Sequence, residues 1–342
     1  MKMAKIVCFG EIMLRLNPEG YLRIRQANSF CASYAGGEAN VAVSLANYGH
    51  DASFVSVVPD NALGESAGNA LRHWGVDCSH LYRGGDRLGI YFVEKGASQR
   101  PSTVIYDRKD SAIATSTREM YDWPLILKGA DWFHFTGITP ALAPELVEIT
   151  LEACKTAKEM GIMVSCDLNY RKKLWSRAEA KVAMSRLVPY VDVLIANEED
   201  AFDVFSIKAT GSDVATGIVD GADYEKVAKE IVNRFGCKYV AITLRASISA
   251  NDNNWGGLLY DGERSWLSTT YPIHIVDRVG GGDSFGGALI HAMLSKWDSQ
   301  RAIEFAAAAS CLKQTIEYDF NQVSVEEVER LMAGDASGRV RR

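Results

Sequence analysis

Six short apolar runs recur along the 342-residue chain, separated by longer stretches of helical periodicity: Lys5 to Phe9, Ser53 to Val58, Trp132 to Phe135, Ile162 to Cys166, Val193 to Ala196 and Tyr239 to Thr243. Runs this short and this uniformly apolar suit strands covered on both faces. Between them, Ala39, Ala42, Val43 and Ala46 fall at helical spacing before Gly49, and Leu146, Ile149, Thr150, Ala153 and Ala157 do the same before Gly161. Each such stripe can lie against a sheet and end at its glycine. The alternation predicts an α/β fold with a doubly covered, mainly parallel sheet. Ligands of such sheets sit beyond the carboxyl ends of the strands, which singles out Glu11, Asp167, Asn169, Asn197 and Arg245, polar residues that closely follow strand-like runs.

Two stretches break the alternation. Leu14 to Ala35 and Ile90 to Arg108 carry alternating or aromatic residues without a helical stripe, and are expected to form a small β lid made by two excursions from one scaffold. The expected division is a core of residues 1–13, 36–89 and 109–333, a lid of 14–35 and 90–108, and a frayed tail of 334–342. Asp261-Gly262 between strand-like runs signals a hairpin that adds antiparallel strands. Helices are expected over Ser284 to Lys296 and Ser299 to Thr315.

The chemistry concentrates in DRVGGGDSFGGA, Asp277 to Ala288, where Asp283 follows three glycines at the expected first turn of a helix. Open backbone amides of Gly280, Gly281, Gly282 and Asp283 would favour an anion there, and glycines let it approach without obstruction by Cβ atoms. A carboxylate beside a phosphate is repelled by it. Its presence makes most sense as a base that takes a proton from an attacking hydroxyl while the amides hold a transferring phosphoryl group. A plain helix cap after a turn is the alternative.

Composition narrows the partners. Forty-three acidic against 37 basic residues give a net charge of -6, which argues against nucleic acid or an anionic membrane surface. Seven cysteines without a CxxC pair are expected to be packed, reduced thiols. MKMAKIVCFGEI runs straight into a strand pattern with no signal-peptide layout, so a cytoplasmic location is expected. There is no GxxxxGK[ST] phosphate loop, no HRD and DFG pair and no HExxH, which disfavours P-loop kinases, protein kinases and zinc proteases.

Two separated segments, AGGEANVAVSLANYG from Ala35 to Gly49 and DRVGGGDSFGGA, resemble the N-terminal and C-terminal signatures of the PfkB, or ribokinase-like, carbohydrate kinases. The resemblance runs from about Lys5 to Leu331. It implies a ribokinase-like α/β core with a β lid, ATP as donor, magnesium, and a base at Asp283. The chain departs from the family's usual pattern at Arg278 and Gly281, where Thr and Ala are common. FGEIMLRLNPEGYLRIRQANSF, GIYFVEKG, VIYDRKDSAIA and CDLNYRKKLW are most similar to the 2-keto-3-deoxygluconate kinases of that family.

That resemblance implies a sugar site at Gly36 and Gly37, with Tyr91 and Tyr106 contacting the sugar from the lid and Arg108 and Arg171 recognising its acid end. Arginine's planar fork suits a carboxylate; the alternatives are an ion pair of Arg108 with Asp107 or Asp110, a phosphate contact or solvated charge at Arg171, and packing roles for the tyrosines. Gly36 and Gly37 also begin a helix whose free amides, with Asn40 one turn on, suit a substrate oxygen; a simple turn is the alternative. Glu38 is expected to be a helix-start charge. Asn197, Thr243 and Arg245, with Gly280 and Gly282, would receive the nucleotide, although Arg245 stands where a glycine is frequent. Asp200 would meet magnesium through water or merely begin a helix, and Asp277 would ligate a monovalent cation such as potassium or act as a structural acid. The resemblance thus implies ATP-dependent phosphorylation of 2-keto-3-deoxygluconate at its terminal hydroxyl. Another sugar or nucleoside kinase of the family and a non-catalytic sugar-acid sensor are the rivals. Lid edges would be protected by pairing in a homodimer.

Overall fold

Alternate residues of the first strand point to opposite sides of one sheet and both sides are buried, which is the organising fact of the architecture. Ile6 and Cys8 join one apolar cluster, with Phe54, Leu45, Leu289 and Phe305. Val7 and Phe9 join the other, with Phe133, Ile149, Met184 and Ile231. A computed structural model describes residues 3–197, 199–208, 221–335 and 338; Glu198 and most of the 334–342 tail lie outside them.

The strands are β1 Lys5–Phe9, β2 Met13–Asn17, β3 Cys31–Ala35, β4 Asp51–Val58, β5 Leu81–Arg83, β6 Ile90–Glu94 and β7 Thr103–Asp107. They continue as β8 Trp132–Thr136, β9 Met163–Asp167, β10 Val193–Ala196, β11 Tyr239–Ser247, β12 Asp252–Tyr260, β13 Ser265–Leu267 and β14 Tyr271–His274. The main sheet has the order β13-β12-β11-β10-β9-β8-β1-β4-β5, with β14 also on β12. From β11 through β5 the pairs are parallel, whereas β12, β13 and β14 are antiparallel additions. The hairpin at Asp261-Gly262 joins β12 to β13, as its sequence suggests, and Gly262 takes the positive φ of 93° that the turn requires.

Strand order reverses between β1 and β8, because the chain runs outward through β4 and β5 and then returns to β8, β9 and β10. A crevice at the carboxyl ends of the strands is the consequence of such a switch. The two segments that break the helical pattern form a separate four-stranded sheet, β3-β2-β6-β7, with a 3-10 turn at Ile24–Gln26 between β2 and β3. The turn accounts for the irregular middle of the Leu14 to Ala35 segment.

Two helices bring the signature segments together. Gly37–Asn47 and Gly281–Leu294 pack on one face of the sheet so closely that a Cβ on Gly287 would lie 2.8 Å from Ser44 Cβ. Glu38 stands in the first turn of its helix, as expected from sequence, but its role there is not that of a surface charge. It is buried, and its Oε1 accepts from Thr136 N at 3.0 Å, Thr136 Oγ1 at 2.8 Å and Thr139 Oγ1 at 2.7 Å, tying the helix start to the end of β8. Burial pushes its carboxyl up to about 7, against the pull of those hydrogen bonds. Among the described residues no helix is long and apolar enough to cross a membrane, and all seven cysteines are unpaired.

Glu38→Ala strands three buried donors at once and is expected to cost about 3 kcal/mol or more of stability. Urea unfolding of the two proteins measures this directly; a loss under about 0.5 kcal/mol would mean that the Glu38 tie is not structural.

Candidate active site

The helix Gly281–Leu294 begins at Gly280, whose φ of 81° is left-handed and whose hypothetical Cβ would lie 2.2 Å from the Asp319 carbonyl oxygen. Both facts require glycine. The first internal bond of the helix runs from Ser284 N to Gly280 O, so the N–H groups of Gly282 and Asp283 precede the ladder. Gly281 N is engaged by Arg278 O at 3.3 Å, which removes it from the set of four amides expected to be open. Nothing lies within 4 Å of a hypothetical Gly282 Cβ: open space, not packing, surrounds that glycine.

Asp283 stands at the third residue of this helix, half-buried in a cleft of about 480 Å3. Its Oδ2 accepts from Asn40 Nδ2 at 2.6 Å, and its Oδ1 lies 3.6 Å from the Cβ position of Gly37. Asn40 turns its own Oδ1 toward Gly36 N at 3.4 Å. The start of one helix thus orients the acid at the start of the other. Burial raises the Asp283 carboxyl to about 6; Asn40, Arg171 and Lys313 pull it down, while Asp319 pushes it further up. Gly36 has a packing reason of its own, since a Cβ there would fall 1.8 Å from the Glu11 carbonyl oxygen.

On the lid side, Tyr91 and Tyr106 face each other across β6 and β7 with ring centroids 6.0 Å apart. The Tyr91 hydroxyl donates to Asp319 Oδ2 at 2.9 Å and its ring is buried, whereas Tyr106 is partly exposed. Arg108 is buried and ion-paired with Glu11, its guanidinium 5.4 Å over the Tyr106 ring. Of the expected alternative partners, Asp107 pairs instead with Arg87 at 2.8 Å, and no ion pair of Arg108 with Asp110 is found among the described residues. Arg171 is half-buried, donates Nη1 to the Tyr170 carbonyl at 3.1 Å and makes no ion pair with a described residue. The charge of Arg108 is therefore already compensated, and Arg171 is the cation more available to an incoming acid.

At the other end, Asn197, Thr243, Arg245 and Arg278 line the same cleft. Arg278 donates Nη2 to Ala250 O at 2.8 Å, and its Nε is buried without a partner. Burial and the neighbouring Arg245 both press its pKa down. Two guanidiniums held this close repel one another, and an anion between them relieves the repulsion. Asp200 is buried, with Oδ1 accepting from Tyr170 N at 3.2 Å and Oδ2 from Asn197 N at 3.0 Å. It clamps two loops together at the cleft wall. Among the described residues no group of three His, Cys, Asp or Glu side chains could hold a metal ion, so a magnesium ion fits this site as one carried chiefly by nucleotide phosphates and water.

All the residues singled out for catalysis, sugar and nucleotide line this one cleft, as do the strand-end residues Glu11, Asp167 and Asn169. Asp277 does not: it lies beneath the cleft floor, where Arg15 Nη2 meets its Oδ2 at 2.5 Å. Asp319 and Gln314, which back the glycine turn, were missed from sequence because neither belongs to a motif nor directly follows a strand. The raised carboxyl of Asp167, buried near Asp200 and Asp283, adds to an acidic floor between two basic ends.

A family model described as pfkB family carbohydrate kinase matches residues 3–317. The crystal structure of a 2-dehydro-3-deoxygluconokinase from Thermotoga maritima is 52% identical, covers 97% of this chain and 100% of its own, and superposes with a TM-score of 0.94. A 2-dehydro-3-deoxygalactonokinase from Haloferax volcanii is 35% identical over 335 residues, 98% of each chain. A 2-dehydro-3-deoxygluconokinase from Thermoproteus tenax is 28% identical over 96% of this chain and 94% of its own.

The raised carboxyl of Asp283 is expected to titrate near 6, and Asn40→Ala is expected to move that midpoint upward, because the lost donor had favoured the ionised form. Carbon-detected NMR of labelled Asp side chains reads both values. A midpoint in the ordinary Asp range near 4, indifferent to Asn40, would contradict the buried, Asn-oriented geometry.

Proposed function

We infer that this chain, which belongs to the pfkB family of carbohydrate kinases, phosphorylates 2-keto-3-deoxygluconate at its terminal hydroxyl, with ATP as donor and Asp283 as base. The observation that carries the reading is the Asp283 carboxyl, raised to about 6 at the glycine-rich start of a helix, in a cleft that Arg108, Arg171, Arg245 and Arg278 also line. The Arg108 and Arg171 end suits the carboxylate of a sugar acid, and the Arg245 and Arg278 end suits nucleotide phosphates.

In this reading Asp283 accepts the proton of the terminal hydroxyl as that oxygen bonds to the γ-phosphorus and the bond to the ADP oxygen breaks. The amides of Gly282 and Asp283 stabilise charge on the transferred group. Asn40 keeps the carboxylate aimed and ionised. Magnesium, when bound with the nucleotide, supplies charge neutralisation on the phosphate oxygens. The lid excludes water that would otherwise take the phosphoryl group. At neutral pH a base of pKa about 6 is ionised yet still basic enough to assist.

The name of the Thermotoga maritima protein favours the gluconate-derived acid, and that of the Haloferax volcanii protein its C4 epimer. ADP release measured across 2-keto-3-deoxygluconate, 2-keto-3-deoxygalactonate, gluconate, fructose and ribose decides between them and against neutral sugars. Selective use of fructose or ribose would overturn the substrate. Asp283→Asn is expected to bind the keto acid nearly as well by calorimetry while turnover falls by about 10² or more. Arg171→Ala is expected to raise KM for the keto acid by about tenfold or more with KM for ATP little changed; equal loss for ATP would move Arg171 to the donor site. Exposed Ile105 on the small sheet and Phe30 just before its strand β3 support a lid-to-lid homodimer, which sedimentation velocity would show as a species of twice the 37.5 kDa chain mass.

A further inference from the structure

Lys313 is fully buried, with no measurable exposure, and lies at the last position of the helix Ser299–Lys313 beneath the floor of the cleft. A buried lysine unused by the chemistry needs a reason, because taking an ammonium out of water is costly unless it is paired and hydrogen-bonded. Its Nζ donates to two backbone carbonyls, Val279 O and, at 3.3 Å, Asp277 O. Those carbonyls belong to the segment that leads directly into the Gly280 turn and the open amides beyond it.

Backbone carbonyls beside a carboxylate are the oxygen donors a hard monovalent cation would take. Here each of them is already occupied. Arg15 Nη2 meets Asp277 Oδ2 at 2.5 Å and Tyr318 N donates to the same oxygen at 3.2 Å. Val279 N donates to Asp277 Oδ1 at 3.1 Å. Arg15 Nη1 meets Asp319 Oδ1 at 2.5 Å. Two fixed cations, Arg15 and Lys313, thus stand against two carboxylates, Asp277 and Asp319. Potassium placed among them would be a third positive charge against two negative ones in a site closed to water, which the low local dielectric penalises. The residues present do not fit that ion.

We propose that the ammonium of Lys313 is a built-in monovalent cation: it holds the carbonyls of Asp277 and Val279, positions the Gly280 turn and its anion-binding amides, and makes the enzyme independent of potassium. The proposal rests on the kinase reading for its catalytic half only. Lys313 is a positioning residue, acting through the backbone that carries Gly282 and Asp283. Burial depresses the lysine's pKa while Asp277 and Asp319 raise it, so the acids that flank the site favour its charged form.

The test compares wild type, Lys313→Ala and Lys313→Met in chlorides of potassium, ammonium, sodium and tetramethylammonium at matched ionic strength, reading both ADP release and the thermal melting midpoint. Wild type is expected to keep the same turnover within about twofold and the same midpoint in all four salts. Lys313→Ala opens a space of ammonium size. It is expected to be slower than wild type by about tenfold or more in tetramethylammonium, and to regain turnover and melting midpoint in potassium or ammonium. Lys313→Met fills the space with an apolar chain and is expected to be slow and insensitive to salt.

Potassium activation of wild type by about tenfold, a wild-type midpoint clearly higher in potassium than in tetramethylammonium, or wild-type-like turnover of Lys313→Ala in tetramethylammonium would each overturn the proposal. The wild-type comparison stands even where a variant does not fold. Absence of ADP release from wild type in every salt would reject the kinase reading instead, and the melting midpoints would still decide the cation site.

Discussion

The contact between Gly280 and the Asp319 carbonyl is the constraint on which the rest of the cleft depends. It permits no side chain at Gly280 and demands a left-handed backbone there, and that reversal is what frees the first amides of the helix Gly281–Leu294 toward the cleft. The reversal is held from below on every side. Val276 N and Asp277 N donate to Gln314 O at 2.9 and 3.2 Å, Ser310 Oγ donates to Gly281 O at 2.6 Å, and Lys313 holds the carbonyls between them. Glycine adopts this left-handed backbone without strain, and the surrounding hydrogen bonds fix the turn in one place.

Charge is distributed across the cleft with a physical logic. The floor carries three carboxyl groups, Asp167, Asp200 and Asp283, and burial, with the two neighbours adding to it, pushes Asp167 well above the usual carboxylate range. The two ends are basic. A doubly ended anion, with a carboxylate at one end and a phosphate-bound partner at the other, spans such a field with each charge on the favourable side. In the proposed reaction its neutral middle, the hydroxyl to be deprotonated, would meet the acids. Under the same assignment a neutral sugar would leave the Arg171 cation without a counter-charge, and the field would discriminate against uncharged analogues.

Much of this was legible in the sequence, and the boundary of legibility is physical. Short apolar runs report burial on both faces, so β1 and β10 were delimited to the residue, and the rule that ligands follow strand ends found Glu11, Asp167 and Asn169 without any motif. Glycine-rich helix starts report free amides, so Gly282 and Asp283 were found as a pair. What sequence could not report was which charges neutralise one another. Glu38 reads as a helix-start acid and is a buried tie to Thr136 and Thr139. Arg108 is expected to recognise the sugar's acid end, or else to pair with Asp107 or Asp110, and is paired with Glu11, 97 positions away. Arg15, which no motif singles out, is the most deeply buried guanidinium of the site, paired with Asp277 and Asp319 across separations of 262 and 304 residues. Periodicity carries no information about pairs so distant.

Those distant pairs also limit how the lid can move. β2 brings Arg15, and β6 brings Tyr91, to the same Asp319 that backs Gly280. Pulling β2 away from the core would expose two buried carboxylates without their cation, at a cost on the order of 3–5 kcal/mol for one such pair. The root of the small sheet is therefore part of the rigid floor. Its outer strands, β3 and β7, pair on one side only, and β7 carries the exposed Ile105 and Tyr106. Tyr106 sits on the edge strand and Tyr91 on the inner one, where its hydroxyl reaches Asp319, so the aromatic pair connects the outer edge of the small sheet to the residue that backs the glycine turn.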